Sequence, residues 1–113
     1  MKITSIEPRP DKRVLFKLSS YKTVPKASGC YVLTTFGDEV LYIGLALNLN
    51  TRFNQHLENH EKINVTAEGK AVWFYYFLYD SKNLQKLERT WLNQFVNFNG
   101  RLPILNKINS PVG

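Results

Sequence analysis

Residues 71 to 79, AVWFYYFLY, constrain the fold of this chain more than any other segment. Their nearly continuous apolar and aromatic character is typical of a β-strand that is covered on both faces. We therefore predict that this strand lies at the centre of a sheet. The chain has 113 residues, the size of a single domain, and 43% of them are hydrophobic, which is enough for one packed core.

A β-hairpin is predicted upstream of this strand. Residues 30–36 are rich in β-branched and aromatic side chains and end at a Gly-Asp turn signal, and residues 40–43 follow as the partner strand. If the connection contains an even number of residues, Tyr31 and Tyr42 project from the same face of the hairpin, whereas a bulge would separate them.

Two helices complete the prediction. Gly44 ends the second strand, either because the chain turns sharply there or because another group approaches its backbone. A helix over residues 48–60 then places Arg52 and His56 one turn apart on one flank. A second helix follows over residues 82–97, after an Asp-Ser N-cap and before a stop at a glycine.

The predicted fold is therefore of the α+β class. It consists of a small three-stranded, mostly antiparallel sheet flanked by helices, in the order β-β-α-β-α, with a basic N-terminal arm. Residues 14–18 alternate weakly and are expected either to form a short edge strand or to pack under the domain.

Charge indicates the class of partner. The chain carries 15 Lys and Arg residues against 9 Asp and Glu residues, a net charge of +6 with a pI of about 9.6. The excess lies in residues 1–30 and 61–113, which favours polyanion partners at these segments, nucleic acid first. A role in solubility alone would also explain the net positive charge.

Cysteine content and hydropathy indicate the compartment. A single cysteine, Cys30, excludes a disulfide within one chain and suits a reducing compartment. The N-terminus has no apolar leader, and no run reaches the length of a membrane span. We therefore expect a cytoplasmic protein that does not enter a membrane.

One carboxylate is out of place. Glu88 lies within the apolar stripe of the second helix, one turn from both Leu84 and Leu92. Burying a carboxylate costs free energy unless a cation neutralises it, so we expect a positively charged partner at this position. A pairing with Arg89 or a nearby lysine at the edge of the core would satisfy it equally well.

The remaining polar candidates also have ordinary explanations. Tyr31 and Tyr42 could serve strand packing alone, and His56 could be a neutral hydrogen-bonding residue of its helix. Asn106 could be a turn former that satisfies local backbone groups.

The order of these residues resembles a known family. The tripeptides GCY at 29–31 and YIG at 42–44, ten residues apart, are similar to the two halves of the GIY-YIG endonuclease signature. The marked positions of that family then follow in order at Arg52, His56, Glu88 and Asn106. The resemblance predicts a nuclease domain over residues 24–108, after an N-terminal extension at 1–23 and before a tail at 109–113. The phrase LYIGLALNLNTR looks like the excision-repair branch of the family.

The chemistry of the side chains and the resemblance together assign roles. A single carboxylate, Glu88, is suited to one Mg²⁺ or Mn²⁺ ion, and the Arg52 fork is suited to a phosphate oxygen. The resemblance implies that Tyr31 helps to activate the attacking water, with Tyr42 or His56 assisting proton movement or positioning.

Three further positions are expected to support the site. Gly29 and Gly44 are read as backbone requirements, and the resemblance implies that Asn106 buttresses the site through hydrogen bonds. Two positions depart from the family pattern: Cys30 replaces an aliphatic residue, and Leu45 stands where some members carry lysine. We expect no second domain beside the predicted nuclease domain.

These expectations favour a metal-dependent DNA endonuclease that hydrolyses phosphodiester bonds at a single-metal site. The alternative suggested by Leu45 is a catalytically weak or inactive nucleic-acid-binding module of the same fold, acting in a larger complex. A third interpretation is an interaction domain whose aromatic strand marks a dimer surface. The DNA substrate, the biological role and the choice between monomer and homodimer stay open.

Overall fold

The computed structural model describes residues 1–106, which form one four-stranded antiparallel sheet with helices on both faces. The strands are β1 (Lys12–Leu15), β2 (Gly29–Thr34), β3 (Val40–Ala46) and β4 (Trp73–Leu78), in the spatial order β1-β4-β2-β3. The helices are α1 (Leu49–Leu57), α2 (His60–Ile63) and α3 (Leu84–Asn99). Short 3₁₀ turns lie at Ile3–Ser5, Leu18–Thr23 and Ser81–Asn83.

The α+β class and the antiparallel pairing are confirmed, but the prediction of three strands is wrong. The alternative of a short edge strand at residues 14–18 is confirmed in part, since residues 14 and 15 belong to β1. The additional strand, β1, pairs with β4 and makes it an interior strand. β1 is mostly exposed and has only weak apolar periodicity of its own. It is held by its ladder to β4 and by Arg13, whose guanidinium carbon lies 3.8 Å from the centroid of the Trp73 ring.

The hairpin forms as predicted, with different strand ends. β2 stops at Thr34, and Phe36 lies in the turn with 77% of its surface exposed. β3 continues past Gly44 to Ala46, so the prediction that Gly44 ends this strand is wrong. Its second expected role, close approach of another group, is described below.

Both helices are also present with shifted ends. The helix predicted over residues 48–60 is divided into α1, capped by Asn48, and α2, capped by Asn59. The second helix begins at Leu84, because Asp80 caps the preceding 3₁₀ turn, and it ends before Gly100.

Two hydrophobic clusters cover the two faces of the sheet. The first packs α1 against one face through residues that include Tyr31, Tyr42, Leu49, Phe53 and Phe74. The second packs α3 against the other face through residues that include Cys30, Ile43, Leu84, Trp91 and Phe95. β3 is an edge strand, so groups carried by α1 and α3 can meet around its free edge.

None of the helices formed by residues 1–106 combines the length and the apolar character that crossing a bilayer needs. The domain limits at residues 24 and 108 stay predictions, and the tail at 109–113 lies outside the described residues.

Candidate functional site

Two tyrosines of the hairpin lie side by side beneath α1. Tyr31 pairs with Gly44 and Leu33 pairs with Tyr42 in the β2–β3 register, so both tyrosines project from one face. The register shift lies beyond them, between Leu33 and Thr34. Their ring centroids are 5.9 Å apart in a stacked arrangement, and both side chains are buried.

His56 of α1 closes over this pair. Its Nε2 atom lies 2.6 Å from the Tyr31 hydroxyl, and its ring centroid lies 5.2 Å from that of Tyr42. Burial, helped by the positive charges of Lys62 and Arg52, lowers the pKa of His56 to about 3. A neutral imidazole at this distance suits a phenol that donates to Nε2, with the ring proton on Nδ1.

Both phenols are held in the neutral form. Burial raises the pKa of Tyr31 well above its ordinary value, Tyr42 reinforces this shift, and the charge of Arg52 opposes it. Burial also raises the pKa of Tyr42, against the effects of Tyr31 and Arg52. The charge of Arg52 thus lowers the pKa of both phenols, but desolvation outweighs this effect.

Arg52 lies between the tyrosines and α3. Its Nη1 donates to the Leu45 carbonyl at 3.0 Å, and its Nε donates to Gln55 Oε1 at 3.1 Å. These contacts hold the guanidinium over the β3 edge and leave further N–H donors of its fork for a phosphate oxygen.

Glu88 approaches from the opposite face of the sheet. It is half-buried on α3, and no cation among residues 1–106 forms an ion pair with it. Burial raises its pKa, whereas the charges of Arg52 and Arg89 oppose this effect. The charges of Arg52 and Arg89 therefore act on Glu88 without a direct ion pair to it, and its carboxylate is left able to bind a cation.

The donor set around Glu88 fits a single hard cation. Residues 1–106 contain no group of three or more His, Cys, Asp and Glu side chains that could enclose a metal ion. An ion at Glu88 would take its remaining ligands from water and from a substrate phosphate, which is ordinary magnesium coordination.

The two glycines of the site permit close approach. A Cβ atom at Gly44 would lie 2.6 Å from the Tyr31 hydroxyl oxygen and 2.8 Å from Cε1 of Tyr42. A Cβ atom at Gly29 would lie 2.5 Å from the Phe77 carbonyl oxygen. Any larger residue at Gly44 would displace the tyrosine pair.

Asn106 clamps the free edge of β3. Its Oδ1 accepts a hydrogen bond from the Ile43 N–H, and its Nδ2 donates to the Ile43 carbonyl, both at 2.8 Å. The Leu105 N–H donates to the Leu41 carbonyl one pleat earlier. Both polar atoms of the Asn106 side chain are thus bound to the β3 backbone, and its role as a support of the site stays a prediction.

Lys62 is the site neighbour that sequence reasoning missed. It lies on α2 with only 4% of its surface exposed, and its Nζ is 4.6 Å from the centroid of the Tyr42 ring. A lysine in a polar segment gives no sequence signal of burial. Its position depends on the helix break at Asn59, which turns α2 back over the hairpin.

A groove of about 670 Å³ opens beside Arg52, between the first turns of α1 and α3. Its lining combines the exposed Leu47 with the polar side chains of Asn48, Gln55, Lys82 and Gln85. Amides and cations of this kind suit the polar edges and phosphates of a nucleic acid strand.

The fold is a small α+β domain that brings two buried tyrosines, a buried histidine, an arginine and a carboxylate to one edge of its sheet. The family model described as the GIY-YIG catalytic domain matches residues 27–101. The chain belongs to this family and is a nuclease, that is, a phosphodiesterase. A comparison with curated proteins found no match.

Proposed function

We propose that this nuclease is a DNA endonuclease that depends on one divalent cation. The observation that carries the proposal is the buried hydrogen bond between Tyr31 and neutral His56, beside Arg52 and within the electrostatic reach of Glu88. This combination provides a proton relay, a phosphate ligand and a cation ligand around one sheet edge.

In the proposed mechanism, Tyr31 and His56 relay the proton of the attacking water. The Tyr31 hydroxyl oxygen accepts a proton from the water as its own proton passes to Nε2 of His56, so the phenol never needs to ionise before substrate binds. The water oxygen forms the new bond to phosphorus, and the bond from phosphorus to the leaving oxygen breaks with its electron pair on that oxygen, which takes a proton from solvent water.

Arg52 and Glu88 are proposed to stabilise the negative charge of the substrate phosphate. Arg52 donates to a phosphoryl oxygen and stabilises the negative charge that develops there. Glu88 would hold the Mg²⁺ or Mn²⁺ ion, which supplies positive charge beside the phosphate when bound. Tyr42 packs against both Tyr31 and His56 and thereby fixes their orientation.

The substrate strand is proposed to run along the groove beside Arg52. The amides of Asn48, Gln55 and Gln85 face this groove, and Lys82 adds a positive charge at its rim. A strand in this position would bring one phosphate to Arg52. The basic composition of the chain supports a polyanion in this role.

The experiment is a cleavage assay with labelled single-stranded, nicked, flapped and duplex DNA, with Mg²⁺ and with EDTA. We expect Mg²⁺-dependent cleavage of at least one substrate. Glu88→Gln should reduce it by 10²-fold or more, an order of magnitude typical of the loss of a charge-stabilising group. Glu58→Gln, at an exposed position after α1, removes the same charge and is the matched control.

Unchanged cleavage by folded Glu88→Gln protein would refute the assigned cation ligand. Salt-sensitive binding without cleavage of any substrate would instead favour the inactive binding module. The cytoplasmic location and membership of the excision-repair branch stay predictions, and cleavage confined to damaged or branched DNA would support the latter.

A further inference from the structure

A buried ammonium group lies against the candidate site without taking part in the mechanism described above. Lys62 is carried by α2, is almost completely buried, and places Nζ 4.6 Å from the centroid of the Tyr42 ring. Lysine is rarely buried to this extent, and its desolvation is costly. Such a position is more consistent with a charge used inside the protein than with one that serves solubility.

One contact of Lys62 leads to the proposed proton relay. The Tyr42 ring lies beside Lys62, stacks on Tyr31 and contacts His56 edge-on. The positively charged head therefore touches the aromatic wall that orients both relay groups. The face of an aromatic ring attracts a cation most strongly where water is excluded.

The position after Gly44 explains why a cation would be needed here. Leu45 is apolar and packs with the cluster on the α3 side of the sheet, so this strand supplies no positive side chain on the His56 side. Arg52 is turned toward the Leu45 carbonyl and Gln55. Lys62 is the cation that lies against the tyrosine pair from the direction of α2.

We propose that Lys62 is a positioning residue of this site, which holds the Tyr42 ring in place and keeps His56 in its proton-accepting form when an anionic phosphate enters. This inference rests on the proposed function, because it assigns a role in the same relay. A phosphate close to an imidazole favours the protonated ring, and a fixed ammonium opposes this effect.

The groups that face His56 are few. Tyr31 faces it from β2, Tyr42 from β3, Lys62 from α2, and Arg52 precedes it by one turn on α1. The positive charges of both Lys62 and Arg52 lower the pKa of His56, in addition to burial. Of these two cations, Arg52 is assigned to the substrate phosphate, so Lys62 remains the one committed to His56.

The test compares Lys62→Met, which removes the charge, with Lys62→Arg, which keeps it. Lys70→Met, at an exposed position, is the control for loss of one positive charge. Cleavage is measured under saturating Mg²⁺ from pH 3 to 9, a range that includes the pKa of about 3 of His56 in the free protein. For Lys62→Met we expect the acid limb of kcat to move to higher pH by about one unit. The plateau at high pH should stay within a few-fold of wild type, and Lys62→Arg should restore the original limb.

A second measurement does not depend on activity. The imidazole resonance of His56 is followed by NMR across pH in the free protein, after assignment with a His60→Asn variant. The His56 pKa should rise from about 3 in Lys62→Met and stay low in Lys62→Arg. If Lys62→Met does not fold, Lys62→Gln takes its place in both measurements.

A folded neutral variant with an unchanged His56 pKa and an unchanged acid limb would overturn the proposal. A lower plateau without movement of the limb would also overturn it, because that result indicates packing alone. If wild-type protein cleaves no DNA, the proposed function fails, and the NMR titration still decides whether Lys62 controls His56.

Discussion

Gly44→Ala is the most informative single change, because it adds one methyl group directly against the proposed relay. The new Cβ would lie 2.6 Å from the Tyr31 hydroxyl oxygen, 2.7 Å from its Cζ and 2.8 Å from Cε1 of Tyr42. Ordinary contacts of a Cβ atom begin near 3.4 Å, so the Tyr31 hydroxyl must retreat by roughly 0.8 Å. That hydroxyl is held by His56, so its retreat must change the geometry of their hydrogen bond.

The expected cost follows from this geometry. Overpacking of a filled core costs about 1–3 kcal/mol, which corresponds to a fall in Tm of roughly 5–20 °C for a domain of this size. A displacement of about 1 Å among reacting groups costs on the order of 10²-fold in rate. Thermal denaturation and the DNA cleavage assay measure the two effects separately.

Gly100→Ala is the matched control. Gly100 follows α3 with φ of 75°, and a Cβ there meets nothing within 4 Å. Alanine should therefore destabilise the fold by about 1 kcal/mol through backbone strain alone and leave the rate of cleavage unchanged. Native stability together with wild-type cleavage for Gly44→Ala would refute the argument that Tyr31 needs this space.

Three further predictions concern the same groups. Asn106→Ala should lower the free energy of unfolding in urea by about 1–3 kcal/mol, because the Ile43 N–H and carbonyl both lose their partner, whereas Asn106→Asp should keep one of the two bonds. Glu88→Gln should raise Tm at pH 7 while cleavage is lost. The pKa of Glu88 is higher in the folded than in the unfolded protein, so its charged form opposes folding above the unfolded pKa. The gain in Tm should therefore disappear at low pH, where the carboxyl group is protonated in both states. His56 should make stability fall as pH falls, because its folded pKa of about 3 lies below the ordinary value of 6.5. The free energy of unfolding should decrease by up to about 1.4 kcal/mol per pH unit from pH 6.5 toward 3. A folded His56→Asn variant that keeps this slope would contradict the assignment.

The sequence predicted those elements whose pattern is local and strong. The aromatic run of β4, the hairpin and the shared face of Tyr31 and Tyr42 all follow from a period of two residues. The strand β1 has only the weak alternation of residues 14–18, and it is held by pairing with β4 and by the stacking of Arg13 over Trp73. A short exposed edge strand of this kind is determined by tertiary contacts.

The same distinction applies to the site. Tyr31, Tyr42 and His56 could be expected to meet, because two strands and one helix flank fix their spacing. The burial of Lys62 could not be predicted, because it follows from the angle between α1 and α2. Nor does sequence reveal that burial outweighs Arg52 in setting the pKa of Tyr31, since desolvation depends on how the whole cluster packs.

The division of the core into two clusters has a consequence for incompletely folded copies of this nuclease. Tyr31 and Tyr42 are packed in the cluster beneath α1, whereas Glu88 is carried by the helix that closes the other cluster. A partly folded chain that keeps only the cluster beneath α1 would retain the proposed relay and Arg52 but lack Glu88 of α3. The proposed site is therefore complete only when both clusters are packed.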